Sequence, residues 1–315
     1  MRHFVKVISV TVIVLSIVLS VSCMRMQEEI KDKRMFTHNH IICCGAEEVF
    51  IVDIDDKNTN DIKKWTWRAS DSPEIPKDVH SSFRSTDECK PFGENILITS
   101  SSGGVALITI RDKRCLFYTY SRNAHSACLL PGGRIAVASS TGGDELLVFD
   151  SNKSGVDIKP LSRMPLKGAH GVYWDRNLSE LWALGDDELL VIDVENTNLN
   201  TTELLVKKRW KLPTDGGHDL FPCRNERLLF VTTNTNVYRF DKTDGKFILD
   251  KQFGKLKKVK SIDENPETGK IVYHRATPEN WWSEKIRFGD SQKTIYFKDH
   301  RLYKVRWYIP REILR

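Results

Sequence analysis

The chain has 315 residues, 40 % of them hydrophobic, and a formal net charge of +6 from 48 Lys and Arg set against 42 Asp and Glu. That apolar content excludes a disordered chain. The two charge signs are interspersed rather than gathered in a basic stripe, which excludes a nucleic-acid footprint.

The first elements are expected to precede the fold. Met1 to Lys6 is a short basic start, and Val7 to Val21 is an apolar run broken only by Thr and Ser. Such a run suits a signal peptide over residues 1–22 and falls short of the roughly twenty residues needed to span a bilayer. Small Ser20 and Ser22 precede Cys23, so cleavage there would leave a cysteine able to carry lipid. The usual lipobox leucine is displaced by one place, to Leu19. Residues 23–38 are charged and aperiodic and read as a tether. The expected location is therefore outside the cytoplasm, with a lipid on Cys23 as the only membrane attachment. Residues 39–315 contain no linker-like stretch and read as one all-β domain, expected to be monomeric.

Within that domain, apolar runs of strand length recur with a long period. Inner strands are expected to begin near His80, His125, His170, His218 and Lys260, at intervals of 45, 45, 48 and 42 residues. The contexts are alike: Ala-His125-Ser-Ala-Cys, Ala-His170-Gly-Val-Tyr and Gly-His218-Asp-Leu-Phe. Second strands follow turn residues, as in Arg134-Ile-Ala-Val-Ala, Glu180-Leu-Trp-Ala-Leu and Arg227-Leu-Leu-Phe-Val. Third strands end in aspartate at Asp53, Asp112, Asp150, Asp193, Asp241 and Asp290. These aspartates read as turn residues bonding their own backbone. Six third strands and a period of 40 to 50 residues define a six-bladed β-propeller. The first blade lacks an inner strand, because Ile41-Ile-Cys-Cys is already its second. The run Arg301-Leu-Tyr-Lys-Val-Arg-Trp is expected to return and cover that edge, which would bring His300 to the sixth equivalent position.

Equivalent positions of a propeller converge on its central channel. His80, His125, His170, His218 and Lys260 are thus expected to share one mouth, with Arg84 one turn of alternation deeper. Tyr173 should face away from it. Two chemistries suit such a basin. His125, His170 and His218 could ligate a divalent metal. Alternatively, without a metal, one His (among His125, His170 and His218) or a Tyr abstracts a proton while Lys260 and Arg84 hold an acidic group. The competing architectural reading is that a repeated His merely caps each loop. A second constellation, Thr277-Pro-Glu-Asn-Trp-Trp-Ser-Glu284, offers Trp281 and Trp282 for stacking on a sugar ring. Adjacent Cys43 and Cys44 lack zinc spacing, and Cys43, Cys128 and Cys223 sit in apolar strand contexts as small core residues.

Four segments carry a resemblance: Cys44-Gly-Ala-Glu-Glu-Val, His125-Ser-Ala-Cys-Leu-Leu-Pro-Gly-Gly, Ala-His170-Gly-Val-Tyr-Trp-Asp and Tyr303-Lys-Val-Arg-Trp. From His40 to Trp307 the chain resembles exported β-propeller lipoproteins of Bacteroides-type bacteria, a family of unknown function. More distantly it is similar in architecture to propeller-fold polysaccharide lyases and glycosidases that act on uronic-acid-containing glycans. None of their catalytic motifs maps onto particular residues here, so the likeness is one of fold. It implies a carbohydrate-active protein that binds or cleaves an acidic glycan or a related small molecule. The alternative is a non-catalytic platform for a glycan or protein partner.

Overall fold

Among the described residues, twenty-four strands assemble into six four-stranded antiparallel sheets in a computed structural model. The structure describes residues 35–37, 39–56, 62–198, 201–289 and 293–309. The signal segment, Cys23, nearly all of the tether and Asp290 lie outside the described residues.

Five blades run outward in chain order. Their inner strands are Thr86–Phe92, Ala124–Leu130, Gly171–Asp175, Asp219–Pro222 and Val259–Glu264. Blade one is built differently. Its inner strand is the C-terminal Leu302–Trp307, which pairs antiparallel with His40–Gly45 through Ile41↔Trp307 and Cys43↔Val305. Each inner strand touches the inner strands of the two neighbouring blades, so the six close into a ring. The C-terminal strand is also stitched to blade six: Val305 donates its N–H to Ser261 Oγ (2.9 Å), and Trp307 donates to Asp263 Oδ2 (2.8 Å). The expected closure and blade number both hold.

The apolar runs of the sequence follow from where each strand sits. Middle strands have a neighbouring blade on both faces, so Asn95–Ser100 and Arg134–Ser139 are buried at every residue. The outer strand Cys115–Tyr120 meets solvent and alternates buried with exposed side chains. Cores form between facing sheets: Leu130, Ala136 and Val148 of blade three meet Val172, Leu181 and Ile192 of blade four. All six described cysteines are free and buried, as small core residues. Asp53, Asp150 and Asp241 each accept backbone N–H groups two or three residues ahead, as turn residues do. Asp193 differs, because its strand Glu188–Asn198 continues past it into a long hairpin with Thr201–Lys211.

Candidate functional site

Inner strands begin with an irregularity that decides where their first side chains point. In blade two, Thr86 faces Ser100 and Glu88 faces Thr99, leaving Asp87 without a cross-strand partner. The same step leaves out His125 in blade three, Lys260 in blade six and Tyr303 in blade one. In blades four and five, His170 and His218 donate their N–H groups to the carbonyls of Leu184 and Thr232, the residues already faced by Gly171 and Asp219. Such a β-bulge turns an extra side chain away from regular alternation. Repeated around the ring, it aims six side chains into one mouth.

Asp87, His125, His170, His218, Lys260 and Tyr303 line a cavity of about 240 Å³, with Ser101 and Trp281. The rings of His125 and His170 lie 4.1 Å apart between centroids, and those of His170 and His218 lie 5.1 Å apart. Lys260 Nζ is 3.0 Å from Nε2 of His218. His125 Nδ1 faces the Asn123 carbonyl at 3.1 Å, an acceptor that fixes the proton on Nδ1. Its Nε2 lone pair therefore points toward Asp87 Oδ1, 4.0 Å away. His170 Nδ1 meets Ser140 Oγ at 2.9 Å and the Gly168 carbonyl at 3.2 Å. His218 Nε2 meets Asn234 Oδ1 at 2.8 Å. Half-exposed Trp281 packs on Tyr303 with centroids 5.7 Å apart, and Lys260 Nζ sits 5.7 Å from the same Tyr303 ring.

Burial governs ionisation here. It lowers His125 to about 4, a drop its bond to Asn123 opposes, and it lowers His218 to about 3 with the help of the Lys260 charge. His170 is held well below the usual imidazole range by burial and by its two histidine neighbours. Burial and the Lys304 charge bring Lys260 to about 8. Asp87 moves the other way: burial raises it to about 7 against a backbone N–H bond from Ser101. At neutral pH the mouth thus holds uncharged imidazoles, one ammonium and a carboxyl near its midpoint.

Beneath the mouth the channel is closed by charge. Arg306 grips Asp219 through Nη2 and Nη1 (2.6 and 2.8 Å) and Glu88 through Nη2 and Nε (3.0 and 3.1 Å). Lys304 Nζ reaches the same two carboxylates at 3.1 and 3.2 Å. None of these four side chains is more than 1 % exposed. The two cations hold Glu88 and Asp219 below the usual carboxylate range despite burial. The pattern was readable as Lys304 and Arg306, or Glu88 and Lys90, two residues apart on one strand face. What no repeat statistic indicated was that they cross the channel to each other.

Of the residues the sequence singled out, His125, His170, His218, Lys260 and Trp281 come together. His80 does not. It lies in a 3-10 turn, Lys77–Phe83, that fills the connection between blades one and two, and its Nε2 faces the Ile75 carbonyl at 3.1 Å. Arg84 closes that turn and is exposed rather than deep in the channel. Asp87 holds the position assigned to His80, 38 residues before His125. His300 is likewise replaced in the ring by Tyr303; it packs edge-on against Phe50 at 5.0 Å, with Nδ1 3.7 Å from Glu48. Trp282 lies off the mouth under the Arg301 guanidinium, 5.5 Å from its ring. Among the described residues no group of three or more His, Cys, Asp or Glu side chains is arranged to hold a metal ion. His125, His170 and His218, with successive rings inclined by 53° and 66°, form no such group and do not fit the divalent ion expected of them.

Fold and ring together define a six-bladed propeller with a polar mouth at one end of a closed channel. The chain belongs to a family of unknown function (DUF6528), matched over residues 5–313. No curated protein is similar to it. It is similar to the Myceliophteria thermophila Cps50 (Swd1) beta-propeller domain, with a TM-score of 0.54 at 10 % identity, covering 75 % of this chain and 77 % of that one. It is also similar to a chain of the Mitotic Checkpoint Complex, with a TM-score of 0.53 at 11 % identity, covering 84 % and 80 %. At such identities these likenesses speak for the fold alone.

Proposed function

We propose that the mouth binds an acidic sugar. Lys260 receives the carboxylate, Trp281 stacks on the apolar face of the ring, and the imidazoles with Tyr303 meet the hydroxyls. The observation that carries this reading is the meeting of an ammonium and a half-exposed tryptophan across one tyrosine ring, 5.7 Å from each. Sugar rings ask for this pairing of a flat apolar surface with a polar rim. The cavity's 240 Å³ falls below the roughly 300–1,000 Å³ of drug-sized sites, which suits a single sugar unit. Because the channel is closed below, a ligand enters and leaves by the same face. Asp87, raised to about 7 by burial, is a group of the mouth able to exchange a proton near neutral pH, as cleavage of a bound unit would need.

The test is titration calorimetry with glucuronate and with glucose as its uncharged twin. Glucuronate is expected to bind, glucose to bind at least tenfold more weakly, and Lys260→Met to erase the difference between them. Trp281→Ala should weaken both sugars. Equal heats for the two sugars, or no effect of Lys260→Met, would overturn the reading.

A non-catalytic protein-binding platform is a second reading, favoured by Leu205 and Val206, each 40 % exposed on the outer strand of blade four. We also propose export with a lipid on Cys23, which metabolic labelling with a fatty acid should detect in the native chain and not in Cys23→Ala.

A further inference from the structure

The other end of the channel holds a larger cavity, about 500 Å³, that shares no residue with the histidine mouth. It opens where the inner strands finish: Phe92, Leu129, Val172, Trp174 and Phe221 form its walls, with Tyr173 on the face opposite to the mouth's. The volume lies well inside the roughly 300–1,000 Å³ range of small-molecule sites. Aromatic walls on several sides make a slot for a planar ring.

Three charged side chains line this cavity. Lys90 forms the floor, where its ammonium donates to Ser126 Oγ (3.0 Å), the Ala127 carbonyl (3.0 Å) and the Val172 carbonyl (2.8 Å). Its donors are thus spent, but its charge faces the cavity; the nearest carboxylate, Glu88, is 3.7 Å away and already gripped by Arg306 and Lys304. At the rim, exposed Arg176 supplies a second cation. The rim carboxylate, Glu226, accepts a hydrogen bond from Asn177 Nδ2 at 2.6 Å. An adjoining cleft of about 140 Å³ adds Asp263 and Glu264, which accept the Trp307 and Arg224 N–H groups; its cations besides Lys90 are Arg224 in the lining and Arg239, whose Nη1 is 3.4 Å from Glu264.

We propose that this cavity is a second ligand site, distinct from the histidine mouth, for a planar aromatic carboxylate. The ring lies among Phe92, Tyr173, Trp174 and Phe221, and the carboxylate faces Arg176 in the potential of Lys90. The buried charge cluster of Glu88, Asp219, Lys304 and Arg306 separates the two sites, so they fill independently.

Calorimetry and tryptophan fluorescence with naphthalene-2-carboxylate, and with naphthalene-2-carboxamide as the uncharged twin, test this. One saturable site is expected, with the carboxylate at least tenfold tighter than the carboxamide. Asn177→Trp, a change on an exposed turn, should fill the entrance and abolish binding, while glucuronate binding at the far mouth is retained. Arg176→Glu should remove the preference for the carboxylate. Unaltered thermal unfolding of both variants establishes that they are folded. The proposal is overturned by the absence of saturable binding, by full affinity in Asn177→Trp, or by equal affinity for carboxylate and carboxamide.

Discussion

An imidazole in an unfolded chain titrates near 6.5, whereas His125 and His218 do so at about 4 and about 3 in the folded protein. Between those values the unfolded chain binds more protons than the folded one, so folding loses stability as pH falls below 6.5. His170, shifted in the same direction, adds to the loss. Asp87 opposes it, since a carboxyl raised to about 7 favours the folded state on the acid side. With His274 and His300, which burial lowers to about 3 and about 4, five imidazoles outweigh one carboxyl, at about 1.4 kcal/mol per group for each pH unit. Scanning calorimetry should therefore show Tm falling from pH 6.5 to 4.5, with a shallower fall in His170→Gln. A flat or rising Tm would contradict the assignment. Three of the ring's histidines and Lys260 were legible because residue type recurred with blade spacing. Asp87 and Tyr303 were not, because the shared property is a bulge in the backbone, which leaves no residue signature. His80 and His300 had the right residue type at nearly the right interval, but a 3-10 turn and a bend before the closing strand took up the difference.

At the scale of elements, the C-terminal strand both completes blade one and carries the two cations of the channel. Closure was legible from an inner strand missing at one end of the chain and a spare strand at the other. The charge cluster was not, because pairing across a channel depends on the ring's diameter rather than on local pattern. Removing one member of a buried ion cluster strands its partners, at a typical cost of about 3–5 kcal/mol. Arg306→Leu should lose about that much in urea unfolding, since Glu88 and Asp219 would be left with Lys304 and the more distant Lys90, 3.7 Å from Glu88. A loss below about 1 kcal/mol would mean that the cluster does not hold the ring. Deleting the chain from Leu302 onward should be worse, because it also exposes the inner edge of Ile41–Gly45 to pairing with other chains. Size-exclusion chromatography should find that truncated protein as aggregate rather than as monomer.

For the molecule as a whole, the closed channel matters more than the ring alone. A through-pore would let a polymer thread, whereas a plug of four buried charges makes two blind cavities facing opposite ways. The histidine end is small and holds Lys260, uncharged imidazoles and Trp281; the far end is larger and walled by aromatic side chains. Six bulged strand starts build the first of these cavities, and their effect on imidazole ionisation is open to direct observation. Nitrogen-15 NMR titration of the histidine rings between pH 7.5 and 4.5 tests it. His125, His170 and His218 should stay neutral down to pH 5, and His125 should carry its proton on Nδ1. Protonation of all three near pH 6.5 would mean that they stand in open water and line no buried mouth.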